Sequence, residues 1–232
     1  MKRRLFATIL VPIMIIGATT VTSAASAPNP YAQMKAVLAH ANADQTFRDT
    51  ITLTMGTKKL VNVTDATHIG GRQTITLTAA GKSNSVIVEL IAGNVYVKGN
   101  AAILVSYMGF PKATAKRLAN HWLEFGKSTS GFAQLSAGLT IASVLSQTTM
   151  TQSVKSSAAV SLRGEMVDVL KGTLVKTAQS PAAAETLYFS TGSRPLPVEI
   201  TQLYQGSLAT VVFDHWDETV VLVTPKTVLE QQ

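Results

Sequence analysis

The chain has 232 residues, no cysteine, 46% hydrophobic content, and 20 lysines and arginines against 13 acidic residues. The absence of thiols excludes disulfides, thiolate metal sites and a cysteine nucleophile. The basic residues are dispersed, the densest groups being Lys58 with Lys59 and Lys112 with Lys116 and Arg117, and none interleaves with aromatics; nucleic acid is not an expected partner.

Lys2, Arg3 and Arg4 precede an apolar run from Leu5 to Gly17, and Thr, Ser and Ala then continue to Pro28 and Pro30. This is the pattern of a secretory signal peptide. Ser23 and Ala25 occupy the two specificity positions, so cleavage is expected after Ala25, leaving 26–232 as one domain. A cut after Ala27 would put Pro28 directly behind the scissile bond. The alternative is an uncleaved membrane anchor, because small and apolar residues continue for about 20 positions, close to a bilayer span. The Thr/Ser/Ala-rich half favours cleavage, being a poor hydrocarbon-spanning segment. Both readings export the folded part, secreted or held at the cell envelope. Removing the three basic residues from 20 leaves 17 against 13, a net charge of +4.

Tyr31, Met34, Leu38 and Ala41 lie at helical spacing in YAQMKAVLAHAN, which predicts a short amphipathic helix. The period then changes to two. TFRDTITLTM sets Ile51, Leu53 and Met55 against Thr50, Thr52 and Thr54, and RQTITLTA sets Ile75 and Leu77 against Thr74, Thr76 and Thr78. KKLVNVTDATHI, SVIVEL and NVYVK continue the alternation, with turns at Gly70-Gly71, Gly81 to Asn84 and Gly93-Asn94. The expectation is an antiparallel meander, with Val86, Val88, Leu90, Val95 and Val97 inside and Glu89, Tyr96 and Lys98 facing water.

From Asn100 to about Gln147 the pattern is helical. Asn100 caps NAAILVSYMGF, Pro111 opens a second helix, and GFAQLSAGLTIASVLSQ carries Phe132, Leu135 and Leu139 at helical spacing, with HWLEF as an extended link between the last two. Strands return in LRGEMVDVLKGTLV, AAETLYFSTG, PLPVEITQLYQG and SLATVVFDHWDETVVLVTP, with breaks at Gly172, Gly192 to Pro195 and Gly206-Ser207. The expected class is therefore α+β: one large curved antiparallel sheet of roughly 9–11 strands with helices on its concave side.

Catalytic signatures are weak. AAGKSN at 79–84 and EFGKST at 124–129 contain Gly-Lys-Ser, but the glycine that a phosphate loop needs five residues earlier is Thr76 in one and His121 in the other. His40, His68, His121 and His215 show no metal-pair spacing. In DHWDE, strand alternation sends Asp214 and Trp216 to one face and His215 to the other, away from local convergence. There is no GxSxG and no Ser-x-x-Lys. No catalytic residue, metal or cofactor is expected.

GNVYVKGNAAIL, then HWLEF, LRGEMVDVLKG, LYFSTGSRPLPVEI and ATVVFDHWDETVVLVTP, form an ordered set that resembles the mycobacterial LppX/LprG/LprA lipoproteins and, more remotely, the LolA/LolB carriers, the resemblance covering roughly Tyr31 to Pro225. The resemblance implies a half-barrel whose helices cover an apolar cavity for acyl chains, in a lipid-binding or lipid-carrying envelope protein that is not an enzyme. The sequence departs from the group in lacking the cysteine that would be lipidated.

The residues themselves leave two packings open. A wide one-sided sheet under a helical cover rich in Ala, Ser and Gly can hold a cavity, or it can close on itself as an ordinary core. Parity names the candidate cavity walls as Ile51, Leu53, Ile75, Leu77, Val86, Val88, Val95, Val97, Leu135, Leu139, Val198, Ile200, Val211 and Phe213. A lipid or other acyl-chain ligand and transient membrane contact go with the cavity. An envelope protein partner, bound on the threonine face or a sheet edge, goes with the closed core. A hydrolase with a dispersed site is a third reading.

Overall fold

The computed structural model describes residues 29–175, 182–204 and 206–231. The signal peptide expected at 1–25 lies outside them. Helix α1 (Pro30–Ala43) leads into the meander β1 (Thr46–Met55), β2 (Lys58–Thr67), β3 (Gly71–Ala79), β4 (Lys82–Ile91) and β5 (Asn94–Gly99). The insertion follows as α2 (Ala101–Ser106), α3 (Lys112–Leu118), β6 (Trp122–Phe125), α4 (Phe132–Ser136) and α5 (Ile141–Ser146). A second meander runs β7 (Lys155–Leu162), β8 (Glu165–Thr173), β9 (Ala184–Ser190), β10 (Pro197–Tyr204) and β11 (Ser207–Asp214), and β12 (Val228–Gln231) closes the order.

All twelve strands form one open sheet in the order β12-β6-β5-β4-β3-β2-β1-β11-β10-β9-β8-β7. The two meanders meet where β1 pairs antiparallel with β11, from Arg48 opposite Asp214 to Leu53 opposite Ala209. Only the pairing of β12 with β6 is parallel among the described strands. The expected large antiparallel sheet with helices is therefore present, with one more strand than the upper expectation.

The helix starts follow local chemistry. Asn29 Oδ1 accepts from the Tyr31 and Ala32 amides at 2.9 and 3.3 Å, and Asn100 Oδ1 accepts from Ile103 N at 3.0 Å, so the expected cap at Asn100 is in place. Met34, Val37 and Ala41 are the buried residues of α1, with Tyr31 and Leu38 beside them; the sequence reading omitted Val37.

Several sequence expectations are corrected. GFAQLSAGLTIASVLSQ is not one helix: Gly138 has a positive φ of 77° and Thr140 caps a new helix through the Ser143 amide, which leaves Leu139 in the linker between α4 and α5. HWLEF is not a link, because Trp122–Phe125 is a ladder strand between β5 and β12. Leu162-Arg163-Gly164-Glu165 is a hairpin turn, with Arg163 and Gly164 at φ 54° and 88°, and its other arm, β7, was missed. Gly172 is no break but lies inside β8, where a Cβ would meet Met150 Sδ at 2.9 Å. The final strand stops at Asp214, since His215 and Asp217 take positive φ, and TVVLVTP carries no strand; the chain pairs again only at β12.

The outer face near β4 and β5 is also less wet than expected. Glu89 and Tyr96 are both 5% exposed. They stand in a ladder of opposed residues running Asp214, Arg48, Asp65, Arg72, Glu89, Tyr96 and Glu124 across seven strands. Arg48 Nε donates to Asp65 at 2.7 Å, Arg72 lies 3.4 Å from Glu89, and the Tyr96 hydroxyl donates to Glu124 at 3.2 Å. Opposite charges in register hold this face together and replace the water that the alternation alone assigns to it.

Candidate functional site

The register fixes which side chains share the helix-bearing inner face. One row runs Phe213, Asp49, Thr64, Gln73, Val88, Val97 and Leu123. The next runs Leu187, Ile200, Val211, Ile51, Asn62, Ile75 and Val86, and the third runs Glu185, Gln202, Ala209, Leu53, Leu60, Leu77 and Asn84. None of these side chains is basic.

Two apolar clusters fill this face. The first joins α1 and α5 to the β1, β8–β11 side through Met34, Val37, Phe47, Ile141, Leu170, Leu187, Ile200 and Phe213. The second joins α2 and α3 to the β3–β6 side through Ile75, Val86, Val95, Ile103, Leu118 and Leu123. Asn62 and Thr64 on β2 and Gln73 on β3 stand between them, with Asp49 alongside on β1.

The sequence-named wall residues divide accordingly. Ile75, Val86, Val88, Val95, Val97 and Leu139 are buried in the second cluster, and Leu77 and Leu135 pack against it half-buried. Ile200, Val211 and Phe213 are buried in the first, with Ile51 packed against it. Leu53 is half-buried on the inner face beside Leu60 and Leu77. Val198 is half-buried and belongs to neither cluster; the register shifts between Pro197 and Glu199, which breaks the alternation that placed it.

The linker between α4 and α5 passes close over the sheet. A Cβ on Gly71 would meet Leu139 O at 2.3 Å and Asp65 O at 2.7 Å, and Thr67 forms a parallel bridge with Thr140. Glycine is required where these backbones approach. Helix α4 itself has no buried residue.

Sequence reasoning missed the polar members. Asp49 and Thr64 are each 1% exposed. Gln73 Nε2 donates to the Thr64 hydroxyl at 3.3 Å, and Thr64 in turn hydrogen-bonds the Asp49 carboxylate. Asp49 Oδ1 and Asn62 Oδ1 are buried with no hydrogen-bond partner. Burial pushes the Asp49 carboxyl from 3.8 up to about 7, with Thr64 opposing the rise and Asp65 and Asp214 adding to it. Further along the face, Glu185 is pushed from 4.5 up to about 7 by burial, while Gln202 Nε2, donating to its Oε2 at 2.9 Å, pulls it back. The signal was available: the parity that turns Ile51 and Leu53 inward turns Asp49 inward too.

A cavity of about 130 Å³ lies elsewhere, between Arg48, Asp65 and Arg72 of the outer ladder and the segment from His215 to Val221. It is smaller than the roughly 300–1,000 Å³ of common ligand pockets. The expectation that DHWDE does not converge is corrected there: the turn brings His215 Nδ1 to 2.6 Å from Asp214 Oδ1 and its Nε2 to 4.0 Å from Glu218 Oε2. Trp216 turns the other way, onto Phe47 and Phe213 at ring-centroid distances of 5.0 and 6.2 Å. Among the described residues no group of three or more His, Asp or Glu could hold a metal ion. Nor is any described helix long and apolar enough to cross a membrane.

This fold, a wide open sheet of two antiparallel meanders with its helices gathered on one face, is similar to that of solved mycobacterial proteins. Lipoprotein LppX of Mycobacterium tuberculosis shares it at TM-score 0.52 and 12% identity, over 84% of this chain and 99% of that one. LprF from Mycobacterium bovis shares it at TM-score 0.54 and 10% identity, over 86% and 98%. No family model matches the chain, and no curated protein matches it in sequence. At such identities the likeness is one of fold.

Proposed function

We propose that the protein is an extracytoplasmic, non-enzymatic lipid-binding or lipid-carrier protein that receives acyl chains on the inner face of the sheet. The observation that carries this reading is the row Leu53, Leu60 and Leu77: three leucines in register on adjacent strands, half-buried and facing the helix side. Ile51 continues the apolar surface, and Phe132 and Leu135 of α4 lie half-buried against the neighbouring cluster. Because α4 buries none of its residues fully, little apolar contact holds it against β4 and β5, and lifting it would open a trough on this face at small cost. An acyl chain laid there removes apolar surface from water at about 25 cal/mol per Å², which supplies the affinity without any catalytic group. The shared fold with a lipoprotein supports an envelope setting.

Native mass spectrometry of the purified protein, before and after organic extraction, tests the reading. Bound amphiphile is expected, and Leu77→Trp, which fills the trough from a half-buried position, is expected to abolish it with the fold retained. A folded protein that takes up no amphiphile would refute the proposal.

A second reading, binding of an envelope protein, is favoured by β7, an edge strand exposed from Lys155 to Ser161. Its free backbone groups could pair with an added strand. Protection of β7 amides by a partner is the measurement that would support it.

A further inference from the structure

We infer that the lipid trough ends in a polar seat, built by Asp49 and Asn62, for an uncharged hydroxyl-bearing head group. The inference rests on the lipid-binding reading and adds the chemistry of the ligand's polar end.

Asp49 Oδ1 and Asn62 Oδ1 are both buried, both unpartnered, and both hydrogen-bond acceptors. They sit on adjacent strands of the same face: Asn62 is opposite Ile51, and Asp49 is two residues before it. That diagonal separates the Cα atoms by about 7–8 Å, within the span of two hydroxyls on one small polyol. The remaining polar groups are already committed, since Gln73 donates to Thr64 and Thr64 hydrogen-bonds Asp49. The seat therefore presents two unpartnered acceptor oxygens, with the Asn62 amide N–H groups and the Asp49 carboxyl proton beside them, a mixture that suits a hydroxyl, which both donates and accepts.

Position links the seat to the trough. Asn62 stands between Ile51 and Ile75, one step along the strand from the row Leu53, Leu60 and Leu77. An amphiphile whose chain covers those leucines with its polar end toward the buried side of the face, away from Lys58 and Lys82, brings that end to Asn62 and then to Asp49.

Charge decides between kinds of head group. At the seat a phosphate or carboxylate would be buried beside two acceptors, while the cations of this face, Lys58 and Lys82, stand at its other end, one step beyond Leu60 and Asn84, so its lost hydration would go uncompensated. An ammonium group could reach Asp49, but the pair would be desolvated between two apolar clusters, where attraction does not recover the hydration of both ions. A hydroxyl donates to either oxygen with no charge to bury.

The test compares three probes with the same oleoyl or oleyl chain, monoolein, oleoyl lysophosphatidic acid and oleylamine, as competitors of a fluorescent fatty-acyl reporter on the purified protein. Monoolein is expected to bind at least about tenfold more tightly than either charged probe, and Asn62→Leu to reduce that preference to about twofold or less. Should Asn62→Leu fail to fold, the ranking on the unaltered protein decides alone. Equal affinity for the three probes, or preference for a charged one, overturns the seat and leaves the trough standing. Binding of none overturns both.

Discussion

Asp49 and Thr64 face each other across β1 and β2, each 1% exposed, on the side of the sheet that otherwise packs apolar side chains against the helices. A carboxyl group held there keeps its proton to about pH 7, against 3.8 without burial. Between about pH 4 and pH 7 the folded chain therefore holds a proton that the unfolded chain has released, and stability falls as pH rises through that window. Glu185, raised from 4.5 to about 7 by its own burial, acts with the same sign. The loss is on the order of a few kcal/mol between about pH 5 and pH 8. Urea unfolding at both ends of that range is expected to show it, and Asp49→Asn should shrink it; an unchanged drop in the variant would place the titration elsewhere.

Phe47, Phe213 and Trp216 form the aromatic joint between the first strand, the last strand of the second meander and the turn after it, with Phe47 and Phe213 edge-to-face at 5.7 Å. Phe47 is 1% exposed. Phe47→Ala is expected to cost about 3–5 kcal/mol, because the cavity it leaves is bounded by strands that cannot collapse into it. The midpoint of chemical denaturation measures this, and the emission of Trp216 should shift in the native state of the variant.

Gly71→Ala is expected to destabilise by several times the roughly 1 kcal/mol that an exposed glycine turn costs to replace, because the added methyl meets two carbonyl oxygens within 2.7 Å. Gly56→Ala is the control, having positive φ but open space around it. If both variants lose the same stability, the α4–α5 linker does not depend on its approach to β3.

Asn100→Ala should cost about 1 kcal/mol, the usual loss of an N-cap. Asn100 Nδ2 also donates to Asn84 Oδ1 at 3.1 Å, tying α2 to the end of β4, so hydrogen exchange is expected to rise in both elements rather than in α2 alone.

Much of this architecture is written in period-two alternation and turn residues. TFRDTITLTM and RQTITLTA specify their faces because one face is buried, and Asn100 specifies its helix through a cap that needs only three neighbouring residues. What the pattern hides depends on contacts distant in sequence. Gly172 looks like a break until Met150 is seen packed against it, and Val228–Gln231 becomes a strand only because β6 offers an open edge. Leu139 looks helical because of its spacing, yet Gly138 and Thr140 on either side divide the helix. The polar seat was hidden for a different reason. An aspartate or asparagine in an alternating strand is ordinarily assigned to solvent, and only strict parity from Ile51 points Asp49 inward.

Acyl chains bound as proposed lie on the inner face over Leu53, Leu60 and Leu77. A monoacylglycerol with a photoactivatable group along its chain, crosslinked to the folded protein and mapped by peptide mass spectrometry, tests it most directly. Adducts are expected on β1, β2 and β3 at these leucines and on α4 at Phe132 or Leu135, removed by excess monoolein. Adducts confined to the outer face or to the segment from His215 to Val221, or no competable adduct on a folded protein, would contradict it.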